Sequence, residues 1–501
     1  MPEKGILGID AGTQGLSVIF VADDDRVIAT GEGSYDMVAG LDDGCYEQSP
    51  SDWESALKTA MQDLRGKLAS AGVDSFDVQA IGISGQMHGE VLFDDAGNSV
   101  GNARLWCDAR NDDEGNELTE LFSVKVPKRM TVARWLWTTR NDPKKSAAAV
   151  AMTTPAGWLA LRLTGEHFLG IGDASGMFPI DQSKLDYDTG LLEKFQSKYS
   201  LPVKLSDMLP QVRKAGEDGG SLNDEGAALL GLPVGIPVSP AEGDQPAALA
   251  GSLIAEPGMV SASFGTSVCA NSVGDRQFEG VSNAVDHFCA VDGRPINMVF
   301  LRNGTTFMNA VVNMFADNSK LDFGGLMQTV LDAPADCEGV LALPFMDDEP
   351  GLGINESGKS GIFSMRDDNA KPGNAIKAAL LATMYNLKSG LAVLDEQKYP
   401  RSQIVLTGGL TKTPELGQLL ADVLQTPVVL PAAADEGTAF GAALMAKFRL
   451  QKIAGQNVDW LEFVKGKQEA GMKQFVPDEA VATDCASHYG QYRELVSSIS
   501  E

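Results

Sequence analysis

The strongest constraint on this chain is a glycine-threonine turn that occurs twice. Near the start, Ile6-Leu7-Gly8-Ile9-Asp10-Ala11-Gly12-Thr13-Gln14-Gly15 reads as a short buried strand, a tight turn and the beginning of a second strand. In the second half, Val260-Ser261-Ala262-Ser263-Phe264-Gly265-Thr266-Ser267-Val268 reads the same way. Glycine admits positive φ and the close approach of an anion, and a threonine hydroxyl with free backbone N–H groups can hold phosphate. The two turns stand about half the 501-residue chain apart. That spacing predicts two related α/β units facing one nucleotide.

Composition narrows the function classes. A chain of 501 residues predicts two or three domains of about 100–250 residues each. Apolar residues at 44% and charged residues at 22% fit a globular protein. No run of about 18 apolar residues is present, so no membrane span is expected. Met1-Pro2-Glu3-Lys4-Gly5 leads into a strand without a signal-peptide pattern. The six cysteines include no C-x-x-C pair, and such scattered thiols point to a reducing, cytoplasmic setting. His287 with Cys289, and Cys485 with His488, each lack a second ligand pair, so zinc is not expected. The net charge of −28 disfavours nucleic-acid binding. Any bound anion must be held locally, by backbone N–H groups, a few side chains and a metal.

Along the chain, Gly5–Asp10 and Leu16–Ala22 form a predicted hairpin, followed by a strand at Arg26–Gly31. A helix capped by Ser51 or Asp52 runs to about Ala71, with Trp53, Leu57, Met61 and Leu64 on one face. Val78–Ser84 reads as a buried strand, and Ala147–Leu163 as one helix. Pro257-Gly258 marks a boundary before the second turn. A long helix is expected over Ala370–Tyr399, a strand at Gln403–Thr407 and a helix at Glu415–Leu424. The small-residue helix Ala439–Phe448 could pack closely on a neighbour, and a last helix is expected at Tyr489–Ile499. The domains read as 1–250 and 251–501, the latter with a C-terminal helical tail.

Several residues can carry chemistry. Asp10, at a strand end before the first turn, can hold Mg²⁺ directly or through water, or can cap its own turn. Thr13, Gln14 and Ser263–Ser267 can donate to phosphate, although no G-x-x-x-x-G-K-[ST] run exists. Thr407-Gly408-Gly409-Leu410-Thr411-Lys412-Thr413 leaves room for a flat group at a helix start, or is an ordinary strand-to-helix turn. Asp244, in Glu242-Gly243-Asp244-Gln245-Pro246, can take a proton from a hydroxyl attacking a phosphoryl group, or be a helix N-cap. Gln86 and His88, in Ser84-Gly85-Gln86-Met87-His88-Gly89, can hydrogen-bond a polyol. Trp106 and Asp108 can add an apolar sugar face and a polar contact, or simply pack in a core.

Together these motifs resemble the FGGY family of carbohydrate kinases over nearly the whole chain. The resemblance rests on Asp10–Thr13, Gly243–Gln245, Gly265–Ser267, Thr407–Lys412 and the segment Asp435–Ala443, in that order. It implies an α/β fold of two tandem actin-like (ribonuclease H-like) domains with an interdomain cleft for ATP and Mg²⁺. Asp244 matches the family's catalytic base. Thr13, Gln14, Gly265, Thr266, Gly304, Gly408, Gly409 and Thr413 fall at its nucleotide-binding positions, and Asp10 at its metal position.

Within the family, the Q-M-H-G segment and Leu105-Trp106-Cys107-Asp108-Ala109-Arg110 are most similar to the members acting on D-xylulose. Gln86, Met87, His88, Trp106, Asp108, Asp244 and Gln245 are then the sugar-side residues, and the product is D-xylulose 5-phosphate. Cys107 stands where asparagine is usual, Gln245-Pro246 resembles the glycerol-acting members, and Q-M-H-G is shared with sedoheptulose-acting ones. Ribulose, sedoheptulose and glycerol therefore stay open as substrates, as does a non-catalytic sugar or nucleotide sensor. The expected partners are a small-molecule sugar and ATP, without nucleic acid or membrane, and a homodimer is left open.

Overall fold

A computed structural model of the chain describes residues 2–199, 201, 203–316, 321–430, 437–467 and 473–500. The chain forms two compact units. The first runs to Ala255 and also includes Phe288–Pro295 and the helices Gly437–Ile453 and Trp460–Lys465. The second holds the remaining described residues.

The first unit is built on a five-stranded sheet in the order Glu242–Gly243, Phe76–Gly85, Glu3–Ala11, Gly15–Ala22, Val27–Ser34. Glu3–Ala11 and Gly15–Ala22 form the expected antiparallel hairpin, in register from Gly5 opposite Ala22 to Ala11 opposite Leu16. Phe76–Gly85 lies parallel to the first strand and Glu242–Gly243 parallel to Phe76–Gly85. The second unit repeats this order inside a seven-stranded sheet. Val428–Leu430, Gln403–Gly408, Met259–Phe264, Val268–Val273 and Pro295–Leu301 are its counterparts, with Val285–Cys289 and Lys473–Phe475 added at the edges. Both glycine-threonine turns thus join the first two strands of equivalent sheets.

Helices cover the first sheet on both faces. Pro50–Ser70 buries Trp53, Leu57, Met61 and Leu64, the predicted stripe, although its N-cap is Ser49. On the other face lies Gly437–Ile453, whose small residues allow very close contact. A Cβ on Gly82 of the sheet would fall 1.8 Å from the Ala442 carbonyl oxygen, and one on Gly441 would fall 1.8 Å from that of Ala247.

The first compact unit also takes in a helix from beyond residue 250, because Gly437–Ile453 buries its alanines against the first sheet and against the helix Asp244–Gly251. Two expectations need correction. The helix expected over Ala147–Leu163 is broken. Ala151–Thr153 pairs as a strand with Val91–Phe93, and a new helix starts at Pro155 with Thr154 as its cap. Proline belongs in a first turn and not in a helix interior. The last helix is longer than read, Glu479–Ser497. Of the predicted closing segment, Asp435 and Glu436 lie outside the described residues. Among the described residues, no helix is long and apolar enough to cross a membrane.

We expect Gly82→Ala to lower stability by about 1–3 kcal/mol, because its methyl group would force two packed backbones apart. Chemical denaturation would measure this. A loss under about 0.5 kcal/mol would mean that the helix is not seated as tightly as described.

Candidate active site

In the first unit, potential chemistry gathers at the carboxyl ends of three neighbouring strands, the usual ligand position of open α/β sheets. The register sets Ala11 beside Gly85 and Gly85 beside Gly243. Asp10 is half-buried and accepts a 2.9 Å hydrogen bond from the Ser84 hydroxyl. Burial pushes its carboxyl up to about 6 against the opposing pull of that bond. Asp244 is the first residue of the helix Asp244–Gly251, so the N-cap is Gly243. The Gln245 N–H donates to its Oδ1 at 2.8 Å. Burial and the negative charge of Asp10 raise the Asp244 carboxyl to about 7, while N–H groups of Gln245 and Met87 oppose the rise. A carboxyl near neutrality is suited to accept and release a proton at physiological pH.

Two further acids in this unit were not singled out in the sequence. Glu242 is buried and accepts the N–H groups of Asp173 at 2.8 Å and Gly172 at 3.2 Å. Burial pushes its carboxyl up to about 8. Asp173 is fully buried and accepts the Thr154 hydroxyl at 2.5 Å on Oδ2, while Oδ1 has no hydrogen-bond partner among the described residues. Burial, with the charges of Glu242 and Asp244, raises it well above the usual carboxylate range. The available signal was an acid set among small residues, Gly170-Ile171-Gly172-Asp173-Ala174-Ser175-Gly176.

Met87 and His88 lie beside this acid group. A Cβ on Gly243 would fall 2.3 Å from Met87 Cγ, so the glycine before Asp244 makes room for Met87. His88 takes φ +67°, unusual for a side chain of its size. Its Nδ1 is 3.0 Å from the Gly176 carbonyl oxygen, and its ring centroid is 5.2 Å from that of Phe288. A carbonyl only accepts, so Nδ1 carries the hydrogen. Burial and the nearby Arg129 charge disfavour protonation, leaving Nε2 as a lone-pair acceptor.

Gln86 and Trp106 both turn toward the first glycine-threonine turn. Gln86 Nε2 donates to Gln48 Oε1 at 2.9 Å, and Gln48 Nε2 donates to the Thr13 carbonyl at 2.7 Å. The Trp106 indole N–H donates to Thr13 Oγ1 at 3.1 Å. The Tyr35 hydroxyl donates toward the Gly12 and Gly15 carbonyls at 2.5 and 3.0 Å. Gln14 stands exposed at the tip, and Gln245 is half-buried beside Asp244. Gln48 and Tyr35 had no local sequence signal, because they reach the turn only through the fold. Asp108 is occupied: it accepts from Arg110 and from the Tyr46 N–H. Burial alone would raise its carboxyl, but these donors hold it below the usual range.

In the second unit, Phe264 lies opposite Gly408, which sets exposed Gly265 and Thr266 beside exposed Gly408 and Gly409. Gly408 takes φ +76°, and a Cβ there would fall 2.8 Å from the Phe264 carbonyl oxygen. Gly304 donates its N–H to the Thr266 carbonyl at 2.9 Å, and a Cβ there would fall 2.4 Å from the Gly265 carbonyl oxygen. A short 3₁₀ turn, Gly409–Lys412, intervenes before the helix Leu416–Leu424, and Thr413 follows it with its N–H on the Leu410 carbonyl. Among the described residues, no group of three or more His, Cys, Asp or Glu side chains could hold a metal by itself.

Glu242 generates a stability test. It binds its proton more tightly when folded, so its stabilising contribution is full below about 4.5 and is lost as pH rises through about 8. Glu242→Gln should therefore gain stability relative to the parent between about pH 6 and pH 9 in urea melts. A pH-independent difference would show that folding does not raise the Glu242 carboxyl.

Comparison with known proteins identifies the architecture. The N-terminal domain model of the FGGY family of carbohydrate kinases matches residues 5–251, and its C-terminal domain model matches 260–450. The chain is 27% identical to a xylulose kinase of Haemophilus influenzae, covering 88% of this chain and 90% of that protein. It is 29% identical to one of Streptomyces coelicolor, covering 88% and 87%. The solved xylulose kinase of Rhodospirillum rubrum superposes with a TM-score of 0.83 at 20% identity, covering 99% of this chain and 98% of that one. With both domain models matched in order across two equivalent α/β units, the chain belongs to the FGGY family of carbohydrate kinases and is an ATP-dependent sugar kinase.

Proposed function

We propose that this kinase transfers the γ-phosphoryl group of ATP to the 5-hydroxyl of D-xylulose, with Asp244 as the general base. The observation that carries the reading is the placement of Asp244, the first residue of its helix at the end of the strand Glu242–Gly243, where Gly243 makes room for Met87; burial raises its carboxyl to about 7. As the sugar oxygen attacks phosphorus, the bond to the ADP oxygen breaks and the hydroxyl proton passes to Asp244, which then releases it to solvent. Met87 supplies an apolar wall and His88 Nε2 accepts a sugar hydroxyl. The similarity to xylulose kinases favours D-xylulose among the ketoses.

Thr13 and Gln14 in the first unit, with Gly265, Thr266, Gly304, Gly408, Gly409 and Thr413 in the second, are the proposed nucleotide residues. Gln14, Gly265, Thr266, Gly408 and Gly409 stand exposed, and a side chain on buried Gly304 or on Gly408 would strike backbone, which supports that assignment. Mg²⁺ is usually held by one or two carboxylates together with waters and substrate phosphates. Asp10 fits that need, being a single half-buried carboxylate with one oxygen engaged by Ser84. When bound, the ion would neutralise phosphate charge. All six cysteines are free, which supports the cytoplasmic setting.

Asp244→Asn should lower kcat by at least about a thousandfold while preserving thermal stability. Near-normal turnover in the folded variant would remove Asp244 as the base. The parent's kcat/KM should rise with pH through an apparent value of about 7, because the base must be deprotonated. His88→Ala should raise the sugar KM more than the ATP KM, whereas equal effects would assign His88 a structural role. Sugar-dependent ADP release should be fastest with D-xylulose in a panel with D-ribulose, L-ribulose, sedoheptulose and glycerol. Preference for another sugar would keep the kinase mechanism and move the specificity. No stimulation by any of these sugars would overturn the assignment to this substrate panel.

A further inference from the structure

Thr13 is tethered at both of its oxygens by residues that precede or lie within the sugar-side segments. Its hydroxyl oxygen accepts the Trp106 indole N–H at 3.1 Å. Its carbonyl accepts Gln48 Nε2 at 2.7 Å, and Gln48 in turn accepts both Gln86 Nε2 at 2.9 Å and the Trp53 indole at 3.0 Å. Gln86 immediately precedes Met87 and His88, and its backbone N–H donates to the Ala11 carbonyl at 2.8 Å. Trp106 is held from behind, since its carbonyl accepts the buried Arg134 guanidinium at 2.6 Å. Its side belongs to a residue 40% exposed. One edge of the indole is therefore committed to Thr13 while the residue remains open to a ligand.

We propose that Trp106 is a positioning residue that couples sugar binding to the phosphate turn: a sugar lying against its indole fixes the indole N–H on Thr13. A hydroxyl has one hydrogen to donate and lone pairs to accept. With a lone pair taken by Trp106, and no protein acceptor for the hydroxyl among the described residues, the Thr13 hydrogen is directed to a phosphate oxygen. The exposed indole loses freedom when a sugar covers it, and the turn gains order as a consequence. Gln48, itself held by Gln86, secures the carbonyl side of the same residue. This inference rests on the proposed sugar site, and its chemical class of ligand is a polyhydroxylated chain with an apolar face.

The test is a double-mutant cycle with whichever panel sugar the parent turns over fastest, so that a wrong sugar assignment is seen in the parent alone. Trp106→Phe keeps an aromatic face and removes the N–H. It should lower kcat about five- to tenfold while changing the sugar KM less than about twofold. Trp106→Leu, which also loses the aromatic face, should additionally raise the sugar KM. Thr13→Val removes the hydroxyl, and adding Trp106→Phe to it should cost less than about twofold further in kcat. Full additivity of the two substitutions in folded proteins would overturn the coupling, as would an unchanged kcat in Trp106→Phe.

Discussion

Carboxyl groups withheld from water are the constraint around which the first unit is arranged. Asp10, Asp173, Glu242 and Asp244 are all raised by burial, and Asp244 also feels Asp10. Each charge left unpaired in such a setting opposes folding. The chain answers with neutral hydrogen bonds in place of cations: Ser84 on Asp10, Thr154 on Asp173, and backbone N–H groups on Glu242 and Asp244. A buried arginine at this point would stabilise the carboxylates and also hold Asp244 ionised but weakly basic. Two of the unit's buried or half-buried ion pairs, Arg110 with Asp108 and Arg104 with Glu90, engage other carboxylates. The site thus retains carboxyls that can still exchange a proton near neutrality, at a cost in stability met by the packing on both faces of the sheet.

That packing depends on small residues. Gly82 and Gly441 let backbone approach backbone, which brings the helix Gly437–Ile453 onto the sheet beneath the acids and against the helix that starts at Asp244. The same helix is why a unit assembled mostly from the first half of the chain needs a piece of the second. Stability of the Asp244 helix and order in the acid group are therefore linked through one layer of contacts.

Local patterns carried much of this information in the sequence. The two glycine-threonine turns, the stripe of Trp53, Leu57, Met61 and Leu64, and the small-residue helix were legible because each is set by neighbours a few positions away. The helix read over Ala147–Leu163 failed because apolar periodicity cannot distinguish a short strand from a helix turn. The pairing of Ala151–Thr153 with Val91–Phe93 decides it from a distance. The candidate site divides in the same way. Asp10, Asp244 and the Met87-His88 pair announced themselves by motif. Gln48 and Tyr35 act through contacts between distant segments and left no local trace.

The departures that kept the substrate open take on a physical meaning in the fold. Cys107 packs against the core of the first unit, and burial raises its thiol, so replacing asparagine there changes packing before it changes any polar contact. Pro246 occupies the first turn of the Asp244 helix, where proline is tolerated, and it crowds Gly172: a Cβ on that glycine would fall 2.6 Å from Pro246 Cγ. Gly172 belongs to the turn that carries Asp173 and donates to Glu242. A change at either departure would thus reach the proposed sugar residues through a backbone that others also share. Under the proposed function, discrimination between ketoses then falls to Met87, His88 and Trp106. Their side chains combine an apolar wall, one directed acceptor and an exposed aromatic residue, and they reject a poorly matched chain by leaving the buried acceptor unpaired.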